Sequence, residues 1–362
     1  MYPQRCDFLK QLEEARNSRV ILFVTGDRPG LETQIASDVY HLFANHLDLL
    51  GKNERISLFL YTRGGDTLTA WSIVNLIRQF CDDFEVIVPS RAHSSGTLMA
   101  LGANRIVMTK QATLGPIDPS VNTPLNPIIP GLPQRAPVSV EAINGFLDLA
   151  KEQLRIQNPA DLATILIKLC TDVHPLVLGA VYRSKSQIQM IARKLIAHQV
   201  SEPEKVDKII SFLCSESGSH DYTIHRREAR DNLGLKIETP TDSLYATIKA
   251  LYNDIHAELQ LSDKFDPLGL LGIENQVNYS FKRALIESCS GGSDYLASEG
   301  RLTRVQLQMA FPNMQPGMQP AMPPGVQPSI NQERVQRRTP VRRLASRISR
   351  QSRIANTRVA RK

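Results

Sequence analysis

The chain reads as an α/β protein built on a parallel sheet, and three observations carry that reading. Four short apolar runs, at residues 20–24, 57–61, 84–88 and 105–108, have the length and the β-branched or aromatic content of buried strands. Between them lie stretches with apolar residues at helical spacing, such as Ile35, Val39, Phe43, Leu47 and Leu50. Turn residues punctuate the alternation at Thr25-Gly26-Asp27, Gly51-Lys52-Asn53 and Gly64-Gly65. The order β-α-β-α-β-α-β calls for right-handed crossovers and strands that run the same way.

Residues 8–16 form a short helix before the first strand at 20–24. A helix is expected over 33–50, broken at Gly51, then the strand at 57–61, a helix over about 68–80 with Asp66 as its cap, and the strand at 84–88. The helix at 94–103 is apolar on most sides, as a buried helix is. Seven prolines between Gly115 and Pro137 exclude regular structure and leave an ordered loop or flap. Helices follow at about 139–157, 160–171, 175–199, 203–215, 226–233 and 241–260. Val277, Tyr279 and Phe281 alternate with polar residues, which marks a late strand over 276–287.

After Phe311 the composition changes to PNMQPGMQPAMPPGVQP, which is too poor in apolar surface to fold. The expected organisation is a folded body over 1–305, a Pro/Met/Gln-rich linker over 306–330 and a disordered Arg-rich tail over 331–362. The formal charge of +7 divides unevenly. The tail holds ten arginines and Lys362 against Glu333, a net +10, so the remainder carries −3. Val341, Leu344, Ala345, Ile348 and Ala355 recur among the arginines, and such a segment suits nucleic acid, an anionic membrane surface or an acidic protein. Without interleaved aromatics it equally suits a solubilising tail.

Five cysteines lie scattered with no C-x-x-C pair, an odd number that leaves at least one unpaired. With a charged N-terminus and no run of 18 apolar residues, the chain is expected to be cytoplasmic. No metal-ligand spacing and no phosphate-binding loop are present, and no cofactor is expected.

Chemistry concentrates at two corners. Tyr61-Thr62-Arg63-Gly64-Gly65-Asp66 ends one strand, and Ala92-His93-Ser94-Ser95-Gly96-Thr97 follows the next. Both fall at the C-terminal edge of a parallel sheet, where open α/β folds place their sites. Acyl transfer to a serine needs a hydroxyl, donors aimed at the oxyanion and a base. Ser94 at a helix start supplies the hydroxyl, the Ser95 amide one donor, and the diglycine turn a second amide free of Cβ hindrance. Taken singly, an N-cap serine and a tight turn account for the two motifs.

The run VPSRAHSSGTLMALGANRIVMT resembles the nucleophile segment of the Clp protease, crotonase and signal peptide peptidase A superfamily. Thr62-Arg63-Gly64-Gly65 resembles that superfamily's S-P-G-G turn, with Arg63 in place of proline. YTRGGDT, SSGTLMALGA, TLGPIDP and HPLVLGAVYRSKSQIQMIARKL resemble the serine dehydrogenase proteinase family within it, over about residues 15–290. The resemblance implies a ClpP/crotonase-like spiral of ββα units with extra helices, and a serine peptidase. It places the nucleophile at Ser94, with Ser95 as the competing hydroxyl, the oxyanion amides at Gly65 and Ser95, and the acid at Asp221.

The base departs from the family pattern. Where a Clp protease carries its histidine, this chain reads Gly115-Pro116-Ile117-Asp118-Pro119, and the proline-rich stretch holds no lysine, only Arg135. Asp118 is a candidate to orient or polarise a neighbour, and His93, His220 and His225 are candidate bases; His174, before Pro175, reads as a cap. The function expected is a cytoplasmic, ATP-independent serine peptidase working through an acyl-enzyme at Ser94 on a peptide or protein substrate, in a homo-oligomer. The alternatives are a crotonase-like acyl-CoA enzyme using the same amides, and a non-catalytic oligomeric scaffold whose basic tail binds a partner.

Overall fold

A computed structural model describes residues 2–117, 120–132, 134–216, 219, 221–305, 334–337 and 341–347. In chain order the elements of the first half are α1 (Tyr2–Arg16), β1 (Arg19–Thr25), α2 (Tyr40–Leu50), β2 (Arg55–Tyr61), α3 (Thr67–Ile77), β3 (Asp83–Val88), β4 (Arg91–Ala92), α4 (Ser95–Leu101), β5 (Arg105–Met108), β6 (Thr113–Leu114), β7 (Ser120–Val121) and β8 (Val138–Ser139). They are followed by α5 (Val140–Asp148), α6 (Pro159–Asp172), α7 (Pro175–Ile196), α8 (Pro203–Ser211), β9 (Ile224–His225), α9 (Arg226–Asp231), β10 (Ile237–Glu238), α10 (Asp242–Leu259), α11 (Pro267–Leu271), β11 (Gln276–Ser288), β12 (Gly292–Val305), β13 (Arg334–Arg337) and β14 (Val341–Arg347).

The main sheet runs β10-β5-β3-β2-β1-β11-β12-β13, with β14 also against β12. From β10 to β1 every neighbour is parallel, as the alternation of runs and helices predicts; β11 and β12 add antiparallel strands at the far side. Both faces are covered, which is why these strands are continuously apolar rather than alternating. Ile21, Phe23, Leu58, Leu60, Val86 and Val88 point to one core, under α2, α3, α4 and α7. Val20, Leu22, Val24, Phe59, Ile87 and Val107 point to the other, under α1 and α10.

Several boundaries differ from expectation for identifiable reasons. The first helix begins at Tyr2, because Arg5 is buried in an ion cluster: its guanidinium donates to Glu287 at 2.8 and 2.6 Å and to Asp254 at 2.6 Å, and it also bonds Glu258. The helix expected over 33–50 starts at Tyr40 after one 3-10 turn at Ser37–Val39. Ile35 is instead bridged to Gly65, its N–H donating to the Gly64 carbonyl at 2.9 Å and its carbonyl accepting from Asp66 N–H at 2.8 Å. Asp66 caps α3 as expected, its carboxylate accepting from Thr69 N–H at 2.6 Å. The late strand is one arm of a hairpin whose other arm is β12.

The proline-rich loop is organised around Asn126, 1% exposed, whose side-chain amide donates to the carbonyls of Val121 and Ala136 at 2.6 and 2.8 Å. α6 has no buried residue; Ile167 is 68% exposed, and Leu176 and Tyr182 on the neighbouring α7 are 67% and 73% exposed. No single described helix is long and apolar enough to cross a membrane. Of the linker and basic tail, Arg334–Arg337 and Val341–Arg347 run as strands antiparallel to β12, and the rest lies outside the described residues.

Candidate active site

The two glycine-centred corners meet. Val24 pairs with Tyr61, so Thr25 and Thr62 leave adjacent parallel strands side by side, and their hydroxyls lie 2.6 Å apart. Beyond Tyr61 the chain pairs with the short strand β4: Thr62 N–H donates to the Arg91 carbonyl at 3.1 Å, and His93 N–H to the Thr62 carbonyl at 3.0 Å. These bonds fix the diglycine turn against the start of α4.

Contact between the corners is close enough to require glycine. A Cβ on Gly64 would lie 2.7 Å from Ser94 Cβ, 2.9 Å from the His93 carbonyl oxygen and 3.1 Å from Ser94 Oγ, at a φ of +106°. A Cβ on Gly96 would lie 2.4 Å from Thr62 Cγ2. Thus the glycine of S-x-G and the first glycine of the turn serve one purpose, to let the second corner seat on the first.

Ser94 sits in this contact at φ +52°, ψ −117°, a left-handed conformation that a side chain adopts only when its surroundings impose it. Such a strained strand-to-helix turn pushes a serine hydroxyl out of the backbone ladder. Among the described residues the Ser94 hydroxyl has no hydrogen-bond partner, and the residue is half-buried. Ser95 differs on both counts. It is 1% exposed, and its hydroxyl donates to the Gly65 carbonyl at 2.5 Å. The backbone N–H groups of Gly65 and Ser95 have no acceptor among the described residues, since the Gly65 bridge uses its neighbours' groups.

One residue from Ser94, at His93, opens a cavity of about 370 Å³ that Ser94 itself does not line; Arg63, Arg91, His93, Asp221 and His225 line it, with Ser90, Thr113 and Thr223 contributing hydroxyls. The small sheet β4-β6-β9 builds its floor and sets Thr113 opposite His225. His93 Nε2 is 2.9 Å from Thr113 Oγ1, and its ring packs against Gly115. Arg91 is held from behind: its guanidinium pairs with Asp27 at 2.8 Å, and Asp27 also accepts from the Tyr61 hydroxyl at 2.8 Å. Burial keeps Tyr61 protonated, pushing its hydroxyl far above the ordinary range.

The structure therefore brings Ser94, Ser95 and Gly65 into one contact, and His93, His225 and Asp221 into the adjoining cavity. No described side chain hydrogen-bonds the Ser94 hydroxyl. Asp221 and His225 are both exposed. His174 caps α7, its Nδ1 accepting from Leu176 N–H at 3.2 Å. Asp118 and His220 lie outside the described residues.

Sequence reasoning missed the pins of the site. Thr62 Oγ1 accepts from Gly64 N–H at 2.9 Å, and Thr97 Oγ1 lies 2.9 and 2.8 Å from the carbonyls of Ala92 and Gly115. Thr25 and Thr62 each close an apolar run, and that shared position was a readable signal. Among the described residues no group of three or more His, Cys, Asp or Glu is arranged to hold a metal.

Residues 1–156, which carry both corners, match the family model described as ClpP-like SDH-type serine proteinase. Two uncharacterized proteins of Methanocaldococcus jannaschii are similar: one is 30% identical over 202 residues, 56% of this chain and 59% of that protein, and the other 29% identical over 125 residues, 32% and 41%. The chain thus spans about half the length of these relatives. Among solved structures, a membrane-bound stomatin-specific protease covers 62% of this chain and 81% of its own at 16% identity and a TM-score of 0.37. ClpP1 from Listeria monocytogenes covers 65% and 99% at 14% identity and a TM-score of 0.34.

Proposed function

We propose that this protein, whose residues 1–156 match the ClpP-like SDH-type serine proteinases, is an ATP-independent serine peptidase with Ser94 as nucleophile. The observation that carries the reading is the contact of the two corners: a hydroxyl under a diglycine turn with two amides beside it, none of the three hydrogen-bonded among the described residues. Ser94 Oγ attacks the scissile carbonyl carbon, a new O–C bond forms, and the carbonyl π electrons move onto oxygen. The N–H groups of Gly65 and Ser95 receive that oxyanion. The serine proton passes to an imidazole and then to the leaving amine as the C–N bond breaks. Water repeats the sequence on the acyl-enzyme.

His93 and His225 are the imidazoles in the adjoining cavity, and Asp221 shares it as the group to orient one of them. Substrate binding has to bring the chosen ring within reach of Ser94, because catalytic hydrogen bonds often close only in the complex. Self-assembly through α6 fits its lack of buried residues and the exposed Ile167. A cytoplasmic location is supported by five unbridged thiols.

A fluorophosphonate tests the chemistry directly: Ser94 Oγ displaces fluoride at phosphorus, and intact mass records the adduct. Wild type and Ser95→Ala should label and Ser94→Ala should not. Labelling that survives in Ser94→Ala overturns the assignment.

A further inference from the structure

We propose that Arg63 selects a carboxylate on the substrate, making this a site for peptides that present an acidic group next to the bond attacked by Ser94. This rests on the peptidase reading and adds the substrate class to it.

Arg63 lies between Thr62, which is hydrogen-bonded to β4, and Gly64, which is packed against Ser94. Its backbone is thereby fixed a single residue from the oxyanion corner, while its side chain lines the cavity that opens at His93. An acyl group on Ser94 with its oxygen at the Gly65 and Ser95 amides must send its flanking side chains into neighbouring space, and in this reading they enter the cavity whose lining includes Arg63 and His93, the residue before Ser94.

Arg63 is exposed, and among the described residues its guanidinium makes no hydrogen bond and no ion pair. Arg91, the other guanidinium of the lining, is already paired with Asp27. Among the described residues Asp221 is the sole carboxylate of the lining and pairs with neither. Glu32, outside the cavity, feels the Arg63 charge, but its carboxyl is held down first by the Gly30 N–H, and it forms no ion pair with Arg63. The remaining described lining groups are the imidazoles of His93 and His225 and the neutral hydrogen-bonders Ser90, Gln111, Thr113 and Thr223. Among the described residues nothing occupies the five donors of Arg63, and a carboxylate is the group that fits that planar fork.

A proline at this place, as in the S-P-G-G turn that the corner resembles, offers no charge and no donor. Arginine here is not required by the backbone, since the neighbouring glycines take the positive φ values.

The carboxylate has two possible sources, an Asp or Glu side chain and a peptide C-terminus, and the test separates them. Dipeptidyl aryl phosphonate probes are made with Glu, Gln or Lys beside the phosphorus, all capped, and a fourth with neutral side chains and a free C-terminal carboxylate. Second-order labelling rates are measured on wild type, Arg63→Gln, Arg63→Lys and Arg63→Glu, with circular dichroism as the check of folding. In wild type the Glu probe or the free-carboxylate probe should react roughly 10- to 100-fold faster than the Gln probe, the range for a charge-assisted hydrogen bond. That ratio should collapse towards one in Arg63→Gln, persist in part in Arg63→Lys, and turn in favour of the Lys probe in Arg63→Glu. Equal rates across probes in wild type, or an acid preference that survives in Arg63→Glu, overturn the proposal. If every probe and a plain fluorophosphonate fail on wild type, the peptidase reading falls and takes this one with it; labelling without charge preference removes this one alone.

Discussion

Ser94 combines a strained backbone with a hydroxyl that bonds nothing among the described residues, so Ser94→Gly should make the protein more stable while removing its reactivity. At φ +52°, ψ −117° a residue with a Cβ carries a penalty of about 1–3 kcal/mol that glycine escapes. Glycine also loosens the unfolded chain, which offsets about 0.5–1 kcal/mol of that gain. No hydrogen bond among the described residues is lost. The net, about 0–2.5 kcal/mol, corresponds to a rise in Tm of up to about 4 °C for a body of this size. Ser95→Ala is the matched control with the opposite sign, since it deletes a buried bond to the Gly65 carbonyl and costs about 1–3 kcal/mol. Scanning calorimetry and fluorophosphonate labelling on the same three samples decide the matter. A fall in Tm for Ser94→Gly would mean that the turn is not strained; retained labelling would mean that Ser94 is not the nucleophile.

Three further outcomes are expected. Gly64→Ala should slow fluorophosphonate labelling by about 10²–10³-fold, because the new Cβ would sit 2.7 Å from Ser94 Cβ and displace the amide beyond it. Burial works to raise the carboxyls of Asp254 and Glu258, but hydrogen bonds from Arg5 to both and from Lys282 to Glu258 win and lower them from ordinary values of 3.8 and 4.5. Lowered carboxylates contribute stability above those values and lose it as pH falls below them, so the urea midpoint should drop between about pH 5 and 3, and less steeply in Arg5→Ala. That variant should itself cost about 3–5 kcal/mol at pH 7, read from the same urea curves, because it strands Glu287, which is fully buried. Finally, Cys6 Sγ lies 3.3 Å from Cys289 Sγ, and burial pushes the Cys289 thiol up to about 12. Diamide should join the two, with loss of both thiol hydrogens to the reagent, and faster at pH 9 than at pH 7. Peptide mapping after alkylation should find Cys81, Cys170 and Cys214 still free.

The parallel sheet was readable because its strands are buried on both faces and therefore spell continuous apolar runs, and the corners because glycine at 64, 65 and 96 is demanded by contact rather than by turn type alone. Helix ends were less legible where tertiary bonds overrule local pattern. Ile35 fits the periodicity of α2 yet is bridged to Gly65, and Tyr2 to Asp7 gain helix from the Arg5 cluster. The hairpin partner of β11 went unread although the three-residue loop Cys289-Ser290-Gly291 separates two alternating segments. The three-strand sheet that sets Thr113 opposite His225 was invisible, since two-residue strands leave no periodicity. For the same reason the acid and the bases could be named only as candidates: their grouping depends on a long-range pairing between residues 113 and 225.

The ion cluster around Arg5 also sets the order in which this body can be assembled. Both corners, the helix behind them and their strands lie within one early stretch of the polypeptide. The carboxylates that Arg5 needs arrive far later, Glu287 being 282 positions downstream. During synthesis α1 therefore emerges with a cation that it cannot yet bury, and β1 waits for the antiparallel neighbour at its edge until Ala284 to Glu287 are made. Folding that depends on such distant pairing is slow. The locking of the first helix coincides with the appearance of the last hairpin, so a ribosome-stalled fragment lacking residues 276–305 should hold its two glycine corners in a body left open along one whole flank.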